Sequence, residues 1–299
     1  MASAATDPVL AVATLRPGQD VVGVFACARK DRLVTRSGTP YLALELRDRT
    51  GAIPARAFKD ADVLAGRFDR GDLVRVAGRV ERFRDELQLE VRAITRVDPA
   101  TTDPAQFLPV AYRDLDELDG FLEHLAREVH DPGYAALLAR LLADDALRVE
   151  WRRAPCTRGG HHAYLGGLLE HTVAVGTLAT ETCILHPRLN SDLLVCAALV
   201  HDIGKTREFT YGAEIGVTEA GRLLGHVELS VRLVDEHASA TGLDADRLAA
   251  LLHCVLLHHG ADPSAGRRFA SPEALALHRL NALDASVKGA LEHGLTQHT

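Results

Sequence analysis

The hydrophobic period changes once along this chain. Before residue 98 apolar residues alternate with polar ones, as in Leu73-Val74-Arg75-Val76-Ala77 and Leu87-Gln88-Leu89-Glu90-Val91, the spacing of strands with one buried face. After residue 114 they recur every three to four positions, the spacing of helices packed on one side. Between the two lies Asp98-Pro99-Ala100-Thr101-Thr102-Asp103-Pro104, followed by Pro109, and prolines at this density interrupt both patterns. Such a chain folds as two units, and 299 residues suffice for two ordinary domains. The expected division is a small all-β domain over residues 14–97, a linker over 98–114 and an all-α domain over 115–299.

Five strand-like segments fill the first region: Val21 to Cys27, Tyr41 to Leu46, Ile53 to Phe58, Leu73 to Val80 and Leu87 to Val97. Five short strands suit a small closed barrel. Their order, with the run Gly71-Asp72-Leu73-Val74-Arg75-Val76-Ala77-Gly78-Arg79-Val80, resembles an OB-fold. In the second region helices are expected at Leu115–Val129, Tyr134–Leu147, Leu168–Ile184, Asp192–Ile203, Glu219–Ala238, Asp244–His258 and Pro272–Leu291.

Charge divides the same way. Residues 14–97 hold 17 Lys and Arg against 12 Asp and Glu, a balance of +5 inside a chain of net charge −7. All 15 histidines lie after residue 123, beginning with His124. A mildly basic domain followed by a histidine-rich one points to two jobs. Hydrophobic content of 47% with charged content of 25% excludes a chain disordered throughout. The longest uncharged stretches, such as Leu248 to Ala261, are too short to span a bilayer. Met1 to Leu15 carries Asp7 and no basic cluster ahead of an apolar run, so no secretory signal is read there and a cytoplasmic address is expected. Cys27, Cys156, Cys183, Cys196 and Cys254 are an odd number without a C-x-x-C pair, which fits buried free thiols. Phosphate-loop, nucleophile-elbow, H-E-x-x-H and G-x-G-x-x-G motifs do not occur.

The chemistry is concentrated in His201-Asp202-Ile203-Gly204-Lys205, which closes the apolar helix Leu193 to Val200. An imidazole and a carboxylate side by side at a helix end can hold a metal from adjacent positions. Further polar residues interrupt other apolar helical stretches: His171, His226, His258 with His259, and Asp284. A single buried histidine is usually a satisfied core hydrogen-bonder. His171, His201, Asp202, His226, His258 and Asp284, six residues on successive helices, would each be costly to bury unpartnered, and one shared metal centre satisfies them together.

The order His, His-Asp, Asp resembles the HD-domain metal-dependent phosphohydrolases. Three strings look closer still to the YhaM-type 3′–5′ exoribonucleases, a family that joins an N-terminal OB-fold to an HD domain. They are Gly160-His161-His162-Ala163-Tyr164-Leu165-Gly166-Gly167-Leu168-Leu169-Glu170-His171-Thr172, Thr218 through His226, and His258-His259-Gly260. The resemblance spans roughly residues 14–290. It implies that His171, His201, Asp202 and Asp284 hold a first metal and that His226 and His258 hold a second, with Asp202 bridging. Neighbours on a helix point about 100° apart, so His259 is expected to contact substrate rather than metal. The imidazole–carboxylate set suits manganese, iron, cobalt or zinc, and the resemblance implies manganese. Lys205 is expected to act in catalysis on a phosphate or leaving oxygen. His161 and His162, in a glycine-flanked loop before a helix, are expected to bind substrate phosphate.

An OB-fold grips single strands with basic residues around aromatic stacking platforms. Here Lys30, Arg32 and Arg36 follow the first strand, Tyr41 begins the second, and Arg82-Phe83-Arg84 lies between the last two. The expected partner is single-stranded RNA or, alternatively, single-stranded DNA. The expected activity is a metal-dependent 3′–5′ exoribonuclease releasing nucleoside 5′-monophosphates. The rivals are hydrolysis of a nucleotide or cyclic dinucleotide, a non-catalytic RNA-binding adaptor, and an HD-like oxygenase. Lys205 beside the His-Asp pair and the OB partner favour phosphate chemistry.

Overall fold

The computed structural model describes residues 11–295. Most of the stretch read as lacking a leader, residues 1–10, and the last four residues of the helical domain lie outside it. The chain forms two compact units that divide after Pro109, with Tyr211–Ile215 belonging to the first.

The first unit is a closed five-strand barrel. In chain order it contains β1 (Asp20–Val34), β2 (Pro40–Asp48), β3 (Gly51–Ala57), a short helix α1 (Ala61–Ala65), β4 (Leu73–Phe83) and β5 (Glu86–Val97). The strands run β1-β2-β3-β5-β4 around the barrel, and β1 closes it by pairing with β4. β3 and β5 are the parallel pair, with Ala55 opposite Leu89. β1 serves both neighbours because its register shifts between Cys27 and Arg29, so residues 20–26 pair with β4 and 26–34 with β2. Alternation sorts the faces: Leu42, Leu44 and Leu46 are buried with Phe25, Val76 and Leu89, while Tyr41 and Glu45 point outward. Within the segment expected as a linker, Pro99–Thr101 and Pro104–Gln106 form single 3-10 turns. Asp98 and Asp103 cap those turns, and Phe107 is buried with Ala26 and Leu73.

The second unit is helical: α2 (Leu115–Arg127), α3 (Pro132–Ala143), α4 (Asp145–Arg153), α5 (Gly167–Leu185), α6 (Ser191–Val200), α7 (Lys205–Glu208), α8 (Glu219–Ala238), α9 (Ala245–Leu257) and α10 (Pro272–His293). A small hairpin, β6 (Phe209–Tyr211) and β7 (Ile215–Val217), follows α7 and has no counterpart in the sequence reading. Side chains of Asp114, Asp131, Asp144, Asn190, Thr218, Asp244 and Ser271 cap the helix starts by accepting orphan backbone N–H groups. The one helix expected over Tyr134–Leu147 is two. Asp144 takes an extended backbone and its carboxylate accepts from the Leu147 N–H, ending α3 and starting α4.

α6 sits at the centre, buried at every position from Leu193 to Val200, as a helix apolar on all sides must be. Gly204, just past this helix, has ordinary right-handed angles. Glycine is required there for closeness. A Cβ would collide with the His226 carbonyl and the Ser230 amide of α8, and the Gly204 N–H donates to Ser230 Oγ at 2.8 Å. Backbone thus packs on backbone beside the His201-Asp202 pair.

Candidate metal centre and nucleic-acid interface

Where α6 ends, His201 and Asp202 follow, both fully buried. His201 Nδ1 lies 2.8 Å from the Ala198 carbonyl. A carbonyl only accepts, so the ring proton is on Nδ1 and Nε2 presents a lone pair. His258, at the end of α9, is held the same way by the Val255 carbonyl at 2.6 Å. Both lone pairs face Asp202: His201 Nε2 is 3.4 Å from Oδ2, and His258 Nε2 is 3.4 Å from Oδ1.

Two more helices complete the arrangement. His171 of α5 puts Nε2 3.5 Å from Asp202 Oδ2 and 3.3 Å from His201 Nε2. α8 breaks at Gly225 (φ 73°), which turns His226 inward, with Nε2 3.4 Å from Asp202 Oδ1. The other ring nitrogen of His226 lies 3.3 Å from Glu208. Asp202 therefore shares one oxygen with His171 and His201 and the other with His226 and His258.

These residues fit a divalent metal. Asp202 Oδ1 and His258 Nε2 are buried without a hydrogen-bond partner, although each is an electron-pair donor. Two such donors facing each other repel, and a buried unsatisfied acceptor costs about 1–3 kcal/mol. A cation between them removes both penalties. Donor atoms about 2.0–2.2 Å from one ion lie roughly 3–3.6 Å apart, and the separations here are 3.3–3.5 Å. Burial holds His171 well below its ordinary pKa and pushes His162 down to about 3, keeping both in the neutral form that ligates. Burial alone would raise Asp202, but the Lys205 ammonium outweighs it and holds the carboxyl well below the usual range.

The remaining residues divide into those beside this cluster and those turned away from it. His259, expected at substrate rather than metal, lies just past the end of α9, where His258 still has right-handed angles, and its Nε2 is 2.8 Å from His226 Nε2. Asp284, expected as a ligand alongside Asp202, pairs instead with Nδ1 of His171 at 2.6 Å, on the opposite edge of that imidazole. A carboxylate there orients the ring. Lys205, expected at a phosphate, is buried with its ammonium 2.6 Å from Asp202 Oδ2 and 3.4 Å from Cys156 Sγ. His161 and His162 join His171 and Asp284 in a second group of potential ligands. The His162 N–H donates to Glu292 at 3.0 Å.

Sequence reasoning missed Cys156, Glu208, Asn281 and Glu292. Asn281 Oδ1 approaches His171 Nε2 at 3.1 Å. Glu208 had a usable signal, since it lies one short turn beyond Lys205 in the same segment.

An HD-domain family model matches residues 168–286, and an OB-fold nucleic acid binding domain model matches residues 26–97. The chain is 27% identical to the 3′-5′ exoribonuclease YhaM of Halalkalibacterium halodurans over 280 residues, 90% of this chain and 84% of that protein. It is 27% identical to the YhaM of Bacillus velezensis over 272 residues, 90% of this chain and 86% of that one. The chain is an HD-domain hydrolase related to the YhaM exoribonucleases. Among solved structures, the second OB-fold domain of replication protein A from Methanococcus maripaludis matches 30% of the hydrolase and 94% of its own chain, at 20% identity and a TM-score of 0.25.

The OB-fold of the hydrolase carries a ladder of rings and guanidinium groups on its outer face. Tyr41 stacks on Phe58 at 5.2 Å, Arg56 lies 5.7 Å from the Tyr41 ring and 4.8 Å from the Phe83 ring, and Arg84 lies 5.3 Å from Phe83. Phe58 and Phe83 remain 42% and 45% exposed beside these guanidinium groups. A cavity of about 290 Å³ opens beside Phe83, with Arg29, Arg56 and Arg84 also on its wall. Arg36 and Arg82 are exposed on the same unit. Lys30 and Arg32 are committed internally. The Lys30 ammonium is 2.7 Å from the Ala65 carbonyl and 2.8 Å from Asp69, while Arg32 pairs with Asp62 at 2.6 Å. Arg56 and Phe58 escaped the sequence reading, though Arg56 alternates with inward Ala55 and Ala57 and so had to face out.

No helix among the described residues is long and apolar enough to cross a membrane.

Proposed function

We propose that this hydrolase is a metal-dependent 3′–5′ exoribonuclease that shortens single-stranded RNA and releases nucleoside 5′-monophosphates. The observation that carries the reading is Asp202, one oxygen turned to each of two histidine pairs. It is joined by the relatives named as 3′-5′ exoribonucleases. The barrel of residues 14–97 would bind the strand and the helical domain of residues 115–299 would hydrolyse it, with 98–114 joining them. A bound divalent ion supplies Lewis-acid polarisation of phosphate and a more acidic water, with manganese the ion the resemblance implies and iron, cobalt or zinc chemically suited. His171, His201 and Asp202 would hold one ion, and Asp202, His226 and His258 another, with His259 at its edge. Asp284 orients His171, Glu208 orients His226, and Lys205 keeps Asp202 ionised. His161 and His162 stand on the Asp284 side, where the terminal phosphate would enter. Cleavage breaks the bond between phosphorus and the 3′ oxygen of the penultimate nucleotide. Five free cysteines suit a reducing compartment, and we place the enzyme in the cytoplasm.

Digestion of a labelled oligoribonucleotide tests this directly. A 3′ label should appear at once as mononucleotide, and a 5′ label should shorten stepwise. Faster turnover of a nucleotide or cyclic dinucleotide than of any oligonucleotide would overturn the reading in favour of a small-molecule phosphohydrolase.

The ring ladder yields its own expected result. Stacking on an aromatic contributes about 1–3 kcal/mol per base, so Phe83→Ala and Tyr41→Ala should each weaken RNA binding roughly 5- to 150-fold. Arg56→Ala should loosen both rings. Arg32→Ala, which breaks only an exposed ion pair, should change binding little. Unchanged affinity in Phe83→Ala, measured by fluorescence anisotropy, would remove the outer face from the binding site.

A further inference from the structure

Cys156 has no role in the scheme above, yet its sulfur is fully buried against the metal centre. A ligand atom from each of Cys156, His171 and Asp202 lies within 4.8 Å of the others, and Cys156 Sγ is 3.9 Å from Asp202 Oδ2. A sulfur about 2.3 Å from a zinc-like ion and an oxygen about 2.0–2.2 Å from it are expected roughly 3.5–4 Å apart. The loop that carries the thiol is fixed, because the Cys156 N–H donates to the His162 carbonyl at 3.1 Å. The Lys205 ammonium touches both Asp202 Oδ2, at 2.6 Å, and Cys156 Sγ, at 3.4 Å. Sulfur and carboxylate oxygen therefore already share one cation. Asp284 meanwhile is turned to Nδ1 of His171, leaving the Asp202 side of that ring to other donors.

We propose that Cys156 is a metal ligand of this hydrolase, joining His171 and Asp202 at one cation position and tuning it toward borderline or soft divalent ions such as cobalt(II) or zinc(II). The inference rests on the metal-centre reading. When the ion binds, the S–H bond gives way to a sulfur–metal bond, the proton leaves to solvent, and the ion replaces the Lys205 ammonium as the partner of sulfur. Thiolate prefers soft ions, whereas manganese and magnesium favour oxygen, so the position discriminates between them.

The test is the absorption spectrum of the full chain loaded with cobalt(II) alone, with cobalt per chain measured in parallel. A thiolate on cobalt produces an intense charge-transfer band in the near ultraviolet that nitrogen and oxygen ligands do not. The band is expected in the wild type and absent from Cys156→Ser and Cys156→Ala, with helix content unchanged by circular dichroism. Preference for cobalt over manganese in competition should fall by about 10-fold or more in Cys156→Ser. Bound cobalt without the band in the wild type overturns the inference while leaving the metal centre intact, and the wild-type spectrum decides this even if both variants misfold. A band that survives in Cys156→Ser overturns it as well, by assigning the sulfur to another cysteine. Absence of bound cobalt overturns the metal centre and this inference together.

Discussion

Asp202→Ala is expected to abolish nuclease activity, by well over the roughly 100-fold that loss of an outer partner of a metal site costs. Among the described residues, no other side chain places one oxygen against His171 and His201 and the other against His226 and His258. Removing it also leaves the buried Lys205 ammonium without its carboxylate. Breaking one side of a buried ion pair costs about 3–5 kcal/mol, so the single variant loses stability for a reason separate from catalysis. Lys205→Met combined with Asp202→Ala removes both charges, and replacing a buried pair by apolar groups is often neutral or stabilising. The double variant should therefore regain much of the melting temperature and none of the activity. Bound metal, measured by elemental analysis, should stay low in both. Activity that returned along with stability would show that Asp202 only holds Lys205, and the catalytic assignment would fail.

The parts of this molecule that could be read from sequence are those that depend on period and on adjacent residues. The alternation in β4 and β5 and the three-to-four spacing in α2 and α8 set element types because each of these elements buries one face. His201 and Asp202 were legible because a polar pair closing an all-apolar helix must be satisfied somewhere. What remained hidden depends on breaks in regular geometry. The inward turn of His226 follows from a left-handed Gly225 inside what reads as one continuous helix. The inclusion of His259 depends on the chain direction just past the end of α9. Asp284 keeps its expected helix, but whether it meets the metal or the far edge of His171 depends on the distance between α10 and α5, which no local pattern encodes. Cys156 and Arg56 were missed for a related reason. Each is an ordinary residue type whose meaning appears only when a non-local neighbour, Lys205 or Phe83, is brought against it.

Whether the centre takes one ion or two is decided on the Oδ1 side of Asp202, and His258 is the sharper probe. Its Nδ1 proton is committed to the Val255 carbonyl, so Nε2 can only offer a lone pair toward an anionic oxygen 3.4 Å away. That opposition disfavours the metal-free state and favours any cation that enters. His226 is less constrained, being partly exposed, with Nδ1 on Glu208 and Nε2 near His259. His258→Ala should lower bound metal from about two ions per chain to about one and reduce turnover by orders of magnitude, as expected for a two-metal hydrolase. His226→Ala should act in the same direction, more weakly, because His259 stands beside it. Stability gives a second reading with no substrate present. An ion at 100 times its dissociation constant stabilises a folded protein by about 2.7 kcal/mol. The rise in melting temperature on adding metal should therefore shrink in His258→Ala, while the metal-free variant escapes the lone-pair repulsion of the wild type. Unchanged metal per chain together with a raised Michaelis constant would instead make His226 and His258 substrate contacts. The Oδ2 side of Asp202, with His171 and His201, would then hold the single ion.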